Sequence, residues 1–228
     1  CVGNDNDVRE VTKGTSGVFE GLNKNTILID HTTASAIIAR ELFKDCLEVG
    51  CAFLDAPVSG GQAGAENGSL TVMVGGEESS FQKAKTIIGS YAKKVTLMGP
   101  AGSGQLTKMV NQICIAGLLE GLSEGLSFAM QAGLNVETVL DVISKGAAQS
   151  WQMENRGLTM HQGQFDFGFA VDWMRKDLNI CLDEARRNGS LLPVTALVNE
   201  FYGNIQRIGG GRWDTSSLIR LLRDFDIN

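Results

Sequence analysis

With two histidines and five cysteines, the sequence is poorly equipped to hold a metal. Cys1, Cys46, Cys51, Cys114 and Cys181 are odd in number and scattered, and the tightest pair is C-x4-C, not C-x-x-C. Neither His31 nor His161 adjoins a cysteine cluster, so no zinc or other metal site is expected, and reduced, buried thiols are. Basic charge is short as well. Twenty Lys and Arg face 26 Asp and Glu, for a net charge of −6 with no dense basic stripe, which argues against nucleic acid or an anionic membrane as partner. Long apolar runs are missing: Ile113 to Leu119 is broken by Gly117 and followed by Glu120, short of the ~20 residues that cross a bilayer. The chain opens Cys-Val-Gly, with neither an initiator Met nor a basic leader and apolar signal segment, and the scattered, reduced cysteines make a cytoplasmic location the expectation. No Gly-x-Gly-x-x-Gly fingerprint follows a strand.

What is present is a good core former, 43% hydrophobic and only 20% charged, at a length that suits one large or two ordinary domains. The first hundred residues alternate two kinds of segment. Short aliphatic strands are expected at Thr26–Asp30, Phe53–Asp55, Leu70–Val74 and Val95–Met98, with helices at Ser35–Val49 and Glu77–Ser90. That alternation predicts a sheet covered on both faces, as in doubly wound folds. After Gly104 the pattern changes. Leu106, Met109, Val110, Ile113, Leu118, Leu122 and Phe128 recur at helical spacing, which predicts one long helix over Gln105–Gln131, ended by Gly133. Further helices are expected at Val136–Ser144, Trp151–His161, Val171–Asn188, Val194–Ile208 and Thr215–Leu222, so the domain change falls near residues 99 to 104.

Two stretches carry chemistry. In the run from Gly99 to Gln112, Gly104, Lys108 and Gln112 repeat every four residues and Asn111 lies three from Lys108, so a helix places all of them on one face. A partly desolvated lysine there could give and take a proton at a substrate oxygen while an amide holds a neighbouring group. On its own, K-x-x-N-Q is common on solvated helices; the three preceding glycines favour close backbone approach to another group, with Gly104 leaving the lysine's face open. The G-x4-G spacing of Gly99 and Gly104 is not a triphosphate loop, because Gln105-Leu106 stand where Lys-Ser or Lys-Thr would be required. The second stretch is Asp55-Ala-Pro-Val-Ser59-Gly60-Gly61, where Pro57 is expected to end the ladder and the paired glycines let N–H groups converge on a carboxylate, with the Ser59 hydroxyl as a further donor. Thr32 and Thr33 sit just past a strand, where an open sheet places its ligand crevice or where they could cap the next helix.

In these motifs the chain resembles the β-hydroxyacid dehydrogenase family along essentially all of its length. D-x-P-V-S-G-G is matched at residues 55 to 61, and G-x-x-G-x-G-x-x-x-K at Gly99, Gly102, Gly104 and Lys108. The resemblance implies a partial Rossmann α/β domain over 1–99, followed over 100–228 by an interdomain helix and an all-helical substrate and oligomerisation domain. It implies hydride transfer between NAD or NADP and a small 3-hydroxyacid or its semialdehyde, of the 3-hydroxyisobutyrate or tartronate semialdehyde type. Lys108 is then the catalytic residue; Ser59, Gly60, Gly61, Asn111, Gln112, Phe169 and Asp177 bind substrate; Val2, Gly3, Asn4, Thr33 and Lys176 touch the cofactor. The family usually has Asn where this chain has Gln112, and an Asn-Gln pair is similar to that of tartronate semialdehyde reductases, as is Gly146-Ala-Ala-Gln-Ser-Trp151. Imine reductases share the architecture but typically replace the lysine. The resemblance also implies a homodimer or homotetramer, and a main diphosphate-binding segment outside this chain, so that the chain alone is inactive. A non-catalytic recognition or oligomerisation module derived from the architecture is the alternative.

Overall fold

A computed structural model describes residues 1–223. The chain divides into two compact units, Cys1–Asn111 and a second that begins at Gln112.

The first unit opens with α1, Asp5–Lys13, which no apolar periodicity announced because only Val8 and Thr12 are buried on it. It forms by end effects. The Asn4 side chain accepts from the N–H groups of Asn6 and Asp7, with acidic residues in the first turn and Lys13 in the last. A 3-10 turn at Val18–Gly21 leads to β1, Ile27–Asp30, then α2, Ala36–Glu48, capped by Ser35, and β2, Ala52–Asp55. Next come β3, Val58–Ser59, a short α3, Gly61–Glu66, β4, Leu70–Gly76, α4, Glu78–Ile88, and β5, Ala92–Gly99.

The five-stranded sheet is mixed. β1 and β2 run parallel, as do β4 and β5, whereas β2 and β3 both pair antiparallel with β4. β2 and β3 therefore lie in line along one side of β4, joined through Ala56 and Pro57. Pro57 does not end the ladder as expected: it lacks only a donor, and its carbonyl accepts from Met73 N–H at 3.1 Å. Side chains alternate between two cores. Leu54 joins Val72, Val74, Phe81 and Ile88, while its neighbour Phe53 joins Val8, Ile38 and Leu42 on the other side, the expected two-faced burial.

α5 is a single helix from Ser103 to Gln131, two residues longer at its start than the sequence suggests. Gly117 and Glu120 do not interrupt it, which corrects the expectation of a run too short for a bilayer. Among the described residues it is the one helix long and apolar enough to cross a membrane, with a mean hydropathy of 1.4 over 18 residues. Its buried side chains belong to protein cores, Ala116 and Leu119 in one and Leu122, Leu126 and Ala129 in another, the ordinary state of a core helix. Leu134 N–H bonds back to the Ala129 carbonyl across Gly133, whose φ of +72° closes the helix.

The second unit continues with α6, Val136–Ile143, α7, Trp151–His161, α8, Val171–Asn188, and α9, Pro193–Arg207. The stretch expected as a last helix is a 3-10 turn, Thr215–Leu221, whose start is held by the Asp214 side chain accepting from Ser216 N–H. Cys46, Cys51 and Cys181 are buried, and burial pushes the Cys46 thiol up to about 11 and Cys181 to about 12. Cys1 and Cys114 are exposed, contrary to the uniform burial expected.

Glu120, half-buried on α5, is pushed up to about 7 by burial and then by the charge of Glu124 one turn on. An unfolded glutamate titrates near about 4.3, so between that value and about 7 the folded chain binds more protons and loses stability as pH rises. Since the site is part-exposed, the cost above that window is about 1 kcal/mol. Glu120→Gln is therefore expected to raise Tm by about 2 °C near pH 8 and not near pH 4, read by thermal unfolding at both.

Candidate active site

In the first unit the glycine-rich turn is built around a buried carboxylate. Asp55, 0% exposed at the end of β2, accepts from Gly102 N–H at 2.7 Å and from Gln105 N–H at 2.9 Å. It caps α5 from another strand, satisfying N–H groups that have no partner inside the helix. Burial raises the carboxyl's pKa and the two N–H bonds oppose that rise.

The glycines serve this contact. A Cβ on Gly104 would stand 2.4 Å from the Met73 carbonyl and 2.7 Å from that of Asp55, and one on Gly75 would stand 2.4 Å from the Asp55 carboxylate. Close approach was foreseen, but the group approached is the sheet, and Gly104 does not leave an open face for substrate. Gly99 and Gly102 take φ of +140° and +92°, backbone that other residues rarely adopt.

One turn further, Gln105 is 1% exposed. Its Oε1 accepts from Ala34 N–H at 3.0 Å and its Nε2 donates to the Thr32 carbonyl at 2.7 Å, tying α5 to the corner after β1. Thr32 is 0% exposed and accepts from Val2 N–H at 3.0 Å, while Thr33 beside it is buried less fully. Gly3 N–H donates to Asp7 and Asn4 caps α1. The expected cofactor contacts Val2, Gly3, Asn4 and Thr33 are thus gathered at the carboxyl end of β1, where nucleotides sit in open α/β sheets.

Lys108, the next turn of α5, is only 8% exposed, which removes the solvated-helix reading. Asn111 is half-buried. Ser59 closes β3, and Gly60 and Gly61 turn the chain into α3 with φ of +135° and +61°. Gly60 needs its small size because a Cβ would press on Leu70 at 3.2 Å; around Gly61 there is open space.

In the second unit Gln112, 2% exposed, donates from Nε2 to the Asp177 carboxylate at 2.6 Å, and Lys176 Nζ lies 2.8 Å from the other oxygen of Asp177. Asp177 is 2% exposed: the carboxylate is buried between an amide and an ammonium. Phe169 lies just before α8, its N–H donating to the buried Asp214 at 2.9 Å. Asp214 also accepts from Ser216 and pairs with Arg156 at 3.3 Å.

Asp55, Gln105, Asp214 and His31 were not selected from the sequence. Asp55 lies 47 residues before Gly102, and no local pattern marks such a partner.

Residues 1–99 match the sequence family described as the NAD binding domain of 6-phosphogluconate dehydrogenase, and residues 102–222 match that described as NAD-binding of NADP-dependent 3-hydroxyisobutyrate dehydrogenase. The chain belongs to the β-hydroxyacid dehydrogenase family. It is 63% identical to an uncharacterized oxidoreductase of Shewanella frigidimarina over 97% of this chain and 76% of that protein. It is 36% identical to the 2-hydroxy-3-oxopropionate reductase of Escherichia coli over 94% of this chain and 74% of that one. Its fold is similar to a Mycobacterium tuberculosis 3-hydroxyisobutyrate dehydrogenase solved with L-serine, at a TM-score of 0.88 and 28% identity over 98% of this chain and 78% of that one. The chain spans about three quarters of the length of these relatives. Because residues 1–99 themselves match an NAD-binding family, the expectation that the main cofactor-binding segment lies outside this chain is not supported.

Proposed function

We propose that this protein transfers hydride between NAD or NADP and a small 3-hydroxyacid or its semialdehyde, of the 3-hydroxyisobutyrate or tartronate semialdehyde type. The observation that carries the reading is Lys108: a lysine 8% exposed, on a helix whose first turn is clamped to the sheet by Asp55. When bound, the nicotinamide supplies the hydride chemistry. Lys108 gives a proton to the substrate's carbonyl oxygen in reduction and takes it from the hydroxyl in oxidation. The Ser59 hydroxyl and the N–H groups of Gly60 and Gly61 hold the carboxylate, and the open space at Gly61 leaves room for it. Val2, Gly3, Asn4 and Thr33 receive the cofactor. The relatives named as acting on 3-hydroxyisobutyrate and 2-hydroxy-3-oxopropionate support the substrate class.

The test is a panel of tartronate semialdehyde, succinic semialdehyde, glyoxylate and 3-hydroxyisobutyrate with each coenzyme on the full-length protein, followed by nicotinamide absorbance. Turnover of a carboxylate-bearing aldehyde or its hydroxyacid is expected. No turnover of any member with either coenzyme would sink the reading in favour of a non-catalytic module.

A further inference from the structure

β1 and β2 form a parallel ladder that runs one step beyond the strands, with Ala56 N–H donating to the Asp30 carbonyl at 2.7 Å. In a parallel ladder the Ala56 carbonyl would next accept from Thr32 N–H. That N–H is turned onto the Asp30 carboxylate instead, at 2.9 Å, because the chain leaves the sheet at His31. The His31 ring supplies the missing donor. Its Nδ1 lies 2.6 Å from the Ala56 carbonyl oxygen and its Nε2 lies 2.8 Å from the Tyr91 hydroxyl. A carbonyl only accepts, so Nδ1 carries a proton, and in the neutral ring Nε2 then accepts from the Tyr91 hydroxyl. Tyr91 meets the ring edge-on, at 5.6 Å between centroids and 89° between planes.

We propose that His31 is a positioning residue for the reaction. Its backbone leads into the Thr32–Thr33 corner and its ring holds the chain at Ala56, three residues before Ser59, so one side chain sets the spacing between the cofactor-facing corner and the carboxylate-binding bend. The Tyr91 hydroxyl supports that tautomer by donating to Nε2. The proposal rests on the functional reading of those two segments.

The experiment uses full-length protein with His31→Leu, His31→Asn and Tyr91→Phe. His31→Leu is expected to raise KM for the semialdehyde about tenfold with kcat within about threefold, the worth of one structured hydrogen bond. His31→Asn, whose amide nitrogen sits at the δ position, is expected to return KM to within about twofold of the parent, and Tyr91→Phe to raise it about threefold. Nitrogen NMR of the unliganded protein is expected to show His31 protonated at Nδ1 only, with the Nε2 resonance moving in Tyr91→Phe.

An unchanged KM in folded His31→Leu overturns the proposal, as does a ring protonated at Nε2 only. Should His31→Leu fail to fold, an unchanged KM in Tyr91→Phe overturns it equally. If the parent turns over no panel member, the functional reading fails, and the NMR result alone decides on the His31 clamp.

Discussion

Lys108→Ala is expected to lower kcat by about three orders of magnitude, within the range for removing a general acid-base group. The side chain is buried at 8% exposure on a helix turn whose backbone is fixed by Asp55 and Gln105, so the lysine's starting point is set before substrate arrives. Pre-positioning of that kind gives a proton donor its effect, since the transfer then needs no rearrangement of the helix. Lys108→Met keeps the packing of the stem and is expected to lose as much activity as alanine, which separates proton transfer from packing. Lys108→Arg is expected to remain poor too, because a guanidinium stays protonated: it does not give up its proton in reduction and cannot take one from the hydroxyl in oxidation. Steady-state kinetics with both coenzymes, alongside circular dichroism to confirm folding, provide the check. A folded Lys108→Met variant within about twofold of the parent kcat would remove Lys108 from the mechanism.

Gly104→Ala is expected to destabilise by about 3 kcal/mol, lowering Tm by about 6 °C or more. The added methyl would sit 2.4 Å from the Met73 carbonyl, 2.7 Å from the Asp55 carbonyl and 2.8 Å from the Asp55 carboxylate. Two of these obstacles are backbone, in strands that cannot yield without breaking their ladders. Relief requires the first turn of α5 to lift off Asp55, which strands two helix N–H groups and leaves a buried carboxylate without its donors. Because Lys108 is one turn along, loss of kcat should accompany loss of stability. Gly121→Ala on the same helix is the control: nothing lies within 4 Å of its added Cβ, and the helix should gain about 0.5 kcal/mol. Thermal unfolding of both variants is the measurement, and equal Tm changes of the same sign would refute this account of the turn.

The strands at Ile27–Asp30, Ala52–Asp55 and Leu70–Gly76 and the long α5 were legible because burial on a sheet face or a helix stripe leaves a periodic apolar pattern. α1 and α3 left none, since the first is held by its caps and the second is one short turn and a half after Gly61. Lys108, Ser59, Gly60 and Gly61 were singled out because a lysine after three glycines and a Ser-Gly-Gly bend are local. Asp55 could be read only as part of a motif, because its role depends on a helix start 47 residues away. Gln105 and His31 had no signal. An amide at a helix start and a histidine after a strand have many uses, and each found its partner only when separate segments met.

By itself, the order of residues determined most of the element types and the change from mixed α/β to all-helical structure after the glycine turn, and it singled out the amine and the bend proposed here to carry the chemistry. These follow from periodicity, turn propensity and residue type, which act over a few neighbours. Tertiary structure alone decided that the glycines yield to a sheet instead of a ligand, that Asp177 is buried against Gln112 and Lys176, and that a histidine ring stands in for a ladder N–H. Burial and hydrogen-bond pairing between distant segments are set by how the chain packs, and no stretch of sequence records its partner.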